Sequence, residues 1–434
     1  MSAGRILIRR AHEWREPLAV SAGLKDRDGA LALITGGDGG GRSWVAAGPD
    51  LVVVGEVADD AMFAALAGRG LEAGVVGLAS YDLGARAATG PRDGVWPDLM
   101  LARYPAMLAF DHETRIVTAF GWGADAAEAG AQADRASIWL DEAVEAETPP
   151  PPAAGFPDEA PAQAYIDAVA DVVDRIAAGE LFQANIARAW SGVLNDGADP
   201  FDLFLRLART KGSAYGAFWR LGDRALVSNS PELFLTLDAG GRLEARPIKG
   251  TRPRDPDPTR DAALAADLLA SAKDRAENLM IVDLMRNDLA RVAEPGSVTV
   301  ERLFELQTLP TVHHLVSTVV GRARDGVGPA DVLEATFPPG SITGAPKHQA
   351  MKVIAAHEPS RGPWCGSLFV LDEAGGLTAS VLIRTVAFTL EKGCWRWRTL
   401  AGAGIVADSD PAAELAETGA KIAAIREGMT AQGV

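Results

Sequence analysis

Cysteine is nearly missing: the 434 residues contain two, Cys365 and Cys394. Two thiols cannot supply a disulfide framework or complete a tetrahedral zinc site, so both are expected to be reduced. Cations are short as well, with 42 Lys and Arg against 58 Asp and Glu, a formal charge of −16. A chain this acidic has no general affinity for polyanions, which argues against a nucleic-acid partner and against an anionic membrane surface. Long apolar runs are also lacking. The opening Met-Ser-Ala-Gly-Arg-Ile-Leu-Ile-Arg-Arg returns to charge after three apolar residues, so neither a secretory leader nor a spanning helix is expected and a cytoplasmic location follows by default. No short-period repeat is visible.

What is present is apolar bulk, 48% of the composition, enough for two domains or one unusually large one. Residues 1–147 alternate short Val/Leu/Ile runs with Gly-rich turns, as in Leu31–Ile34 and Leu51–Val54, and read as mostly β, with one helix near Asp60–Ala67. Residues 148–159 hold four consecutive prolines, Pro149 to Pro152, and read as a linker or an extended crossing strap. Residues 160–434 mix both element types. Tyr165, Ala168, Val169, Val172 and Ile176 repeat at helical spacing up to Gly179, and a strand is expected over Leu181–Ala189. A further helix is expected over Pro200–Thr210. The stretch Thr259–Arg291 lacks Gly and Pro and predicts one long helix or two in series. Strands are expected over Ser367–Leu371, Leu377–Phe388 and Trp395–Ala401, and a helix over Pro411–Met429. Gly36–Ser43 has the spacing of a phosphate-binding loop, but Trp44–Pro49 after it cannot form the required helix, so it is expected to be a turn.

Against the acidic background, Arg246-Pro247-Ile248-Lys249-Gly250-Thr251-Arg252-Pro253-Arg254 is a basic island. A local run of cations with Gly and Thr inside it predicts a small site for an anionic substrate, with Lys249 the residue to explain. Acidic groups supply a second pattern. Asp274 and Glu277, and again Glu414 and Glu417, are three apart on predicted helices, so each pair shares a face. Two such faces either meet water or converge on one divalent ion, and all-oxygen ligands suit Mg²⁺. Arg384 lies inside the apolar run Val381–Val386, where a bare guanidinium is costly; it needs a carboxylate from the protein or from a substrate. Gly340–Lys347, ahead of a helix over Gln349–His357, offers free amides and hydroxyls suited to an anion.

Taken in order, Ser230-Pro231-Glu232-Leu233, Pro247–Arg252, Glu277–Leu284, Arg286–Leu289, His314–Ser317, Gly344–Lys347, Ile383-Arg384 and Gly402-Ala403-Gly404 resemble the chorismate-utilising enzymes over about residues 160–430, with Ser80–Leu83 a trace of that family's amino-terminal region. The resemblance implies an α+β fold (α/β layers): two orthogonally packed, antiparallel-rich sheets with outer helices, 1–147 being the amino-terminal β-rich region and 160–434 the chorismate-binding catalytic domain. Anthranilate-forming members resemble this pattern with Ala where Lys249 stands; lysine there is the mark of members that aminate chorismate at C4 and keep its pyruvyl group. Isochorismate- and salicylate-forming members carry Lys, the base for water, where this chain has Gln183, which cannot take a proton at neutral pH. The nearest alternative is the anthranilate-forming large subunit.

By the same resemblance Lys249 is the nucleophile and Glu232 the acid, with Thr251 and His314 beside them. Gln183, Thr343, Trp364, Arg384, Gly402, Ala403, Gly404 and Lys421 would bind substrate. Glu277 and Glu417 would hold Mg²⁺, with Asp274 and Glu414 in or behind the coordination sphere. Neither cysteine lies in a Gly-x-Cys-x-Gly elbow, so ammonia is expected from a separate glutamine amidotransferase subunit. Many relatives bind tryptophan at a Leu-Leu-Glu-Ser segment; here the corresponding stretch reads Leu33-Ile34-Thr35-Gly36, and that ligand is not expected.

Overall fold

A computed structural model describes residues 5–36, 41–55, 62–66, 71–309 and 312–431. Among these, two large sheets carry the fold, one of eleven strands and one of ten, with antiparallel pairing throughout. The eleven-stranded sheet runs, edge to edge, Ile6–Glu13, Ile116–Gly123, Ala106–Asp111, Arg42–Ala46, Leu31–Ile34, Tyr215–Leu221, Arg224–Ser230, Thr385–Glu391, Cys394–Ile405, Gln183–Val193 and Gly344–Ala345. The ten-stranded sheet runs Ile248–Pro253, Val312–Arg322, Arg242–Ala245, Leu233–Leu237, Leu377–Val381, Ser367–Leu371, Val75–Ala79, Leu99–Arg103 and Leu51–Gly55, with Thr299–Thr308 also paired to Val312–Arg322.

Residues 1–147 contribute strands to both sheets. Leu31–Ile34 pairs with Tyr215–Leu221, and Val75–Ala79 pairs with Ser367–Leu371. Between the sheets, Leu31, Trp44 and Trp219 of one pack on Val76, Met100 and Leu368 of the other. Burying such side chains contributes about 1.5–3 kcal/mol each, which makes this face a main source of cohesion. Trp219 donates to the Tyr104 hydroxyl, which donates to the Gly29 carbonyl, both at 2.8 Å, so the polar atoms taken into this layer are satisfied. The proline-rich segment is a strap: Asn195 N–H reaches the Pro152 carbonyl at 2.8 Å, Ala153 N–H the Met429 carbonyl at 2.9 Å and Glu159 N–H the Ala189 carbonyl at 2.9 Å.

Helices cover the outer faces. Ala162–Ala177, Pro200–Lys211 and Pro411–Met429 match their predicted ranges closely. The stretch after Thr259 is two helices, Pro258–Ala270 and Ala272–Ala290, broken where Ser271 turns to extended backbone and its hydroxyl accepts from Asp274 N–H. The amino-terminal half holds more helix than its strand-like runs suggested: Pro17–Leu24, Tyr81–Thr89 and Ala126–Ile138. Of the helix expected near Asp60–Ala67, the described part is a turn at Met62-Phe63 and a 3₁₀ helix, Ala64–Leu66; positions 60, 61 and 67 lie outside the described residues, as do positions 37–40 of the Gly-rich loop. Strand Arg42–Ala46, not a helix, follows that loop.

One correction matters for the site. Leu377–Phe388, expected as a single strand, is two strands in different sheets, Leu377–Val381 and Thr385–Glu391. The apolar run continues through the break because both strands are buried; the sheet change happens at Leu382-Ile383-Arg384, where Arg384 takes a φ of 51°.

Candidate active site

The chain passes between the sheets twice at the same place. Pro231-Glu232 leads from Arg224–Ser230 into Leu233–Leu237, and Leu382–Arg384 leads back. The two crossings are laced together: Asn229 N–H bonds the Arg384 carbonyl at 2.9 Å, Val381 N–H the Glu232 carbonyl at 3.1 Å, and the Ser230 hydroxyl the Val381 carbonyl at 2.6 Å. Sheet handover therefore delivers an acid and a guanidinium to one spot. Arg384 is joined in left-handed backbone by Cys365, φ 63°, whose N–H bonds the Leu382 carbonyl at 2.8 Å. Such strain on side chains with a Cβ gathers where surrounding structure overdetermines it, commonly at ligand sites.

Lys249 is aimed into this region by a bulge. Ile248 pairs with Val316, but the register slips before Thr251 meets His314, and Gly250 absorbs the slip with a φ of 87°. Among the described residues the Lys249 ammonium, partly buried, makes no hydrogen bond or ion pair. Burial lowers its pKa, the charge of Lys421 lowers it further, and Glu277, Glu232 and Glu417 pull the other way. Glu232 is buried, and burial raises its pKa; the Ser341 hydroxyl and the cations Lys249, Lys421 and Arg384 oppose the rise. The pair is thus tuned in opposite senses, an amine toward neutrality and a carboxyl toward retaining its proton. Burial also lowers the pKa of Arg384, with Glu232 the one acid acting against that. Arg384 has no ion-paired carboxylate among the described residues.

The four helical acids are distributed unevenly. Asp274 faces Arg252 at 3.1 Å, and Glu414 accepts from the Ser409 hydroxyl at 2.7 Å. Glu277 is weakly held by Lys273 at 4.0 Å, and Glu417 pairs with Lys421 at 2.6 Å. Burial raises the pKa of Glu277, with Asp274 and Glu417 adding to the rise. Burial likewise raises Glu414. Burial opposes the lowering of Glu417, but the Lys421 charge and hydrogen bond outweigh it. Among the described residues no three His, Cys, Asp or Glu side chains form a ready metal cage. Glu277 and Glu417 approach from different helices and feel each other and Lys249, a donor pair that suits an ion content with two carboxylates plus water and substrate oxygens.

A neutral wall faces these charges. The Thr251 hydroxyl bonds His314 Nδ1 at 2.9 Å. Burial and nearby Arg384 bring the His314 pKa down to about 4, so the ring is neutral, and its Nε2 is buried without a partner. Gln183 is fully buried, and among the described residues neither of its amide atoms nor Trp364 Nε1 has a hydrogen-bond partner. Buried polar atoms are seldom left unpaired in a folded protein, which makes these atoms candidates for contact with a ligand. Gln183 packs against Gly404, where an added Cβ would meet its amide at 3.1 Å. Strand Cys394–Ile405 pairs with Gln183–Val193 across Gly402-Ala403-Gly404 but with Thr385–Glu391 only as far as Thr399, which leaves one edge of that Gly-rich stretch open. Lys421 Nζ donates to the Gly402 carbonyl at 2.9 Å. Thr343 is buried, its hydroxyl turned to the Pro339 carbonyl at 2.8 Å and its carbonyl to Asn185 N–H at 3.0 Å.

Sequence reasoning passed over Ser341, Asn185 and the buried Arg361. Ser341 lies in the polar turn it had singled out; Asn185, with a buried unpartnered Oδ1, lies two residues from Gln183 on the same strand face. A cavity of about 420 Å³ lies elsewhere between the sheets, lined by Leu33, Ile34, Thr35, Tyr215, Pro231 and Ile248 among others, and none of the predicted site residues borders it. No described helix is long and apolar enough to cross a membrane.

Lys249 and Arg384, each without an ion-pair partner among the described residues, thus meet three glutamates at this sheet crossing. Residues 50–427 match the family described as chorismate binding enzyme, and the chain belongs to that family. The aminodeoxychorismate synthase component 1 of Salmonella typhimurium is 40% identical over 81% of this chain and 75% of its own. That of Escherichia coli is 38% identical over 81% and 76%. The anthranilate synthase component 1 of Thermus thermophilus is 38% identical over 79% and 74%. Among solved structures, anthranilate synthase component I of Streptococcus pneumoniae superposes with a TM-score of 0.75 at 26% identity, covering 91% of this chain and 93% of that one. MenF, the menaquinone-specific isochorismate synthase of Escherichia coli, gives 0.76 at 18% identity over 99% and 95%, a likeness of fold.

Proposed function

We propose that this chain is a transferase that replaces the C4 hydroxyl of chorismate with an amino group, giving 4-amino-4-deoxychorismate with the pyruvyl group retained. Relatives named aminodeoxychorismate synthase component 1, 38–40% identical over about 80% of this chain, favour this reading over the anthranilate type, whose relatives are matched as well. The observation that carries the choice is Lys249: a partly buried amine, lowered in pKa, with no hydrogen-bond or ion-pair partner among the described residues and with Glu232, Glu277 and Glu417 around it.

In this reading neutral Lys249 attacks C2 of the ring as the diene shifts and the C4 hydroxyl departs. Glu232, kept protonated by burial, gives that oxygen its proton, so water leaves. The lysine nitrogen passes its own proton to a neighbouring carboxylate. Ammonia then attacks C4, the double bonds shift back and the C2–N bond breaks as that carboxylate returns the proton to the lysine nitrogen, while the Glu232 carboxylate takes the surplus proton from the new C4 ammonium, restoring both groups. Arg384, without a carboxylate of its own, binds the enolpyruvyl carboxylate, and the open edge at Gly402–Gly404 lies beside it. Gln183, Thr343, Trp364 and His314 offer neutral contacts, and Thr251 fixes the His314 ring. Lys421 holds Glu417 and the Gly402 carbonyl together. Glu277 and Glu417, backed by Asp274 and Glu414, are the residues that would hold Mg²⁺, whose chemistry is to withdraw charge from a substrate carboxylate. Ammonia would come from a separate glutamine amidotransferase subunit.

Incubating the purified chain with chorismate, Mg²⁺ and ammonium tests this. The expected product is non-fluorescent and keeps its pyruvyl carbons; fluorescent anthranilate with released pyruvate as the main outcome rejects the proposal.

A further inference from the structure

Ser317 and Asn278 lie in the runs His314–Ser317 and Glu277–Leu284, and both are fully buried polar side chains. Strand Val312–Arg322 carries Ser317 at a point where its neighbours on both sides lose regular pairing. On one side Arg242–Ala245 ends opposite Val319 and Ile248–Pro253 begins opposite Val316, with Arg246-Pro247 between them. On the other, Thr299–Thr308 slips register between Arg302 and Glu305, where Phe304 takes a φ of 57°. Ser317 serves both sides. Its N–H donates to the Pro247 carbonyl at 3.2 Å, and its hydroxyl accepts from Phe304 N–H at 3.1 Å. The same hydroxyl gives its own proton to Asn278 Oδ1 at 2.6 Å, and Asn278 Nδ2 donates to the Leu315 carbonyl at 3.2 Å. One hydroxyl both donates and accepts, so a buried amide and an irregular stretch of backbone are satisfied together.

The two ends of this network lead to the site. Pro247 stands two residues before Lys249, at the start of the bulge that aims it. Asn278 follows Glu277 on helix Ala272–Ala290, and neighbouring side chains on a helix keep a fixed angle, so pinning Asn278 to the strand fixes the direction of Glu277. One turn earlier, on the same face, Asp274 rests on the bulge itself: a Cβ added to Gly250 would meet Asp274 Cβ at 2.9 Å. The helix is therefore seated at two points, Asp274 on Gly250 and Asn278 on Ser317. Gly250 makes the first fit by having no side chain; Ser317 makes the second by bonding both elements.

We propose that Ser317 is a positioning residue for the reaction: it holds the helix that carries Glu277 on the bulge that carries Lys249, and so keeps carboxylate and amine in their working relation. The proposal rests on the reading of Lys249 as nucleophile and of Glu277 as a holder of Mg²⁺. The test variants are Ser317→Ala, Ser317→Thr, which keeps the hydroxyl, and Asn278→Leu with Ser317→Ala, which removes both partners so that no amide oxygen is stranded. Tyr104→Phe, which deletes a buried hydroxyl bonded to Trp219 and Gly29, controls for lost stability. Each protein is followed by its melting temperature, by kcat and KM for chorismate consumption per folded molecule, and by calorimetric titration with Mg²⁺ alone. Consumption scores the site whichever product forms; product identity separately judges the amination reading. Ser317→Ala is expected to lose roughly tenfold or more in kcat and about fivefold in Mg²⁺ affinity, with KM for chorismate changed less than about threefold. Ser317→Thr recovers most of both losses. The paired variant melts closer to the parent than Ser317→Ala does and yet stays slow, whereas Tyr104→Phe melts earlier and keeps its kcat. Ser317→Ala with unchanged kcat overturns the inference. So does a paired variant that regains the parental rate with its stability, or a loss of kcat that leaves Mg²⁺ affinity unmoved. A parent chain that takes up no Mg²⁺ removes the role given to Glu277, and the inference with it.

Discussion

At the scale of single residues, the site is a set of groups held away from their ordinary protonation by burial and by one another. Arg384 is the simplest to test. A guanidinium in an apolar run without its own carboxylate binds an anion at little cost to protein contacts, so Arg384→Gln is expected to raise KM for chorismate by roughly 30-fold, about 2 kcal/mol, with a smaller change in kcat. Steady-state kinetics check it. His314 gives a pH prediction whose sign is fixed by its depressed pKa of about 4. The unfolded ring takes up a proton near 6.5 while the folded one does not, so stability is lost as pH falls from about 6.5 through 4. The loss is on the order of 3 kcal/mol, and His314→Gln should flatten that part of the melting-temperature profile. Lys249 and Arg384 were legible in the sequence because cations stand out in an acidic chain and in an apolar strand. Arg361 was not, since one more Arg followed by Gly and Pro in a turn has no pattern to set it apart.

At the scale of elements, spacing foretold the helices that carry the acids but not their relation to one another. Asp274 and Glu277 share a face as read, yet Asp274 turns to Arg252 and Glu277 toward Glu417, a difference set by tertiary neighbours and not by helical period. The sheet crossing at Leu382–Arg384 was equally hidden. Buried strands of both sheets read as one apolar run, and no glycine or proline marks the break. Gly250 was visible, and its role is now specific: an added Cβ would meet Leu268 Cδ1 at 2.8 Å and Asp274 Cβ at 2.9 Å, at a φ of 87°. Gly250→Ala should cost about 1–3 kcal/mol of stability and, by misdirecting Lys249, lower kcat by on the order of 100-fold. Denaturant titration and kinetics on one preparation separate the two effects.

At the scale of the whole molecule, the proline-rich stretch divides the sequence without dividing the sheets. Strands Leu31–Ile34 and Val75–Ala79, from the first 147 residues, lie inside sheets whose neighbours come from the second part. A fragment of 160–434 would leave Tyr215–Leu221 and Ser367–Leu371 with raw edges and strip the packing around Trp219. It is expected to aggregate or to lack a cooperative melt by circular dichroism, whereas the whole chain melts cooperatively. The component arrangement was legible only through resemblance, because long-range strand order leaves little local trace in composition or period. The same arrangement sets Lys249, on the ten-stranded sheet, against Glu232, at the crossing between the sheets, and that juxtaposition is where the account stands or falls. Its most direct test is intact-protein mass spectrometry after mixing with chorismate and Mg²⁺ in the absence of ammonia. The account predicts a species heavier by chorismate less water, located by peptide mapping to Lys249 and discharged by ammonium. A Lys249→Ala protein that aminates chorismate at the unaltered rate would contradict it.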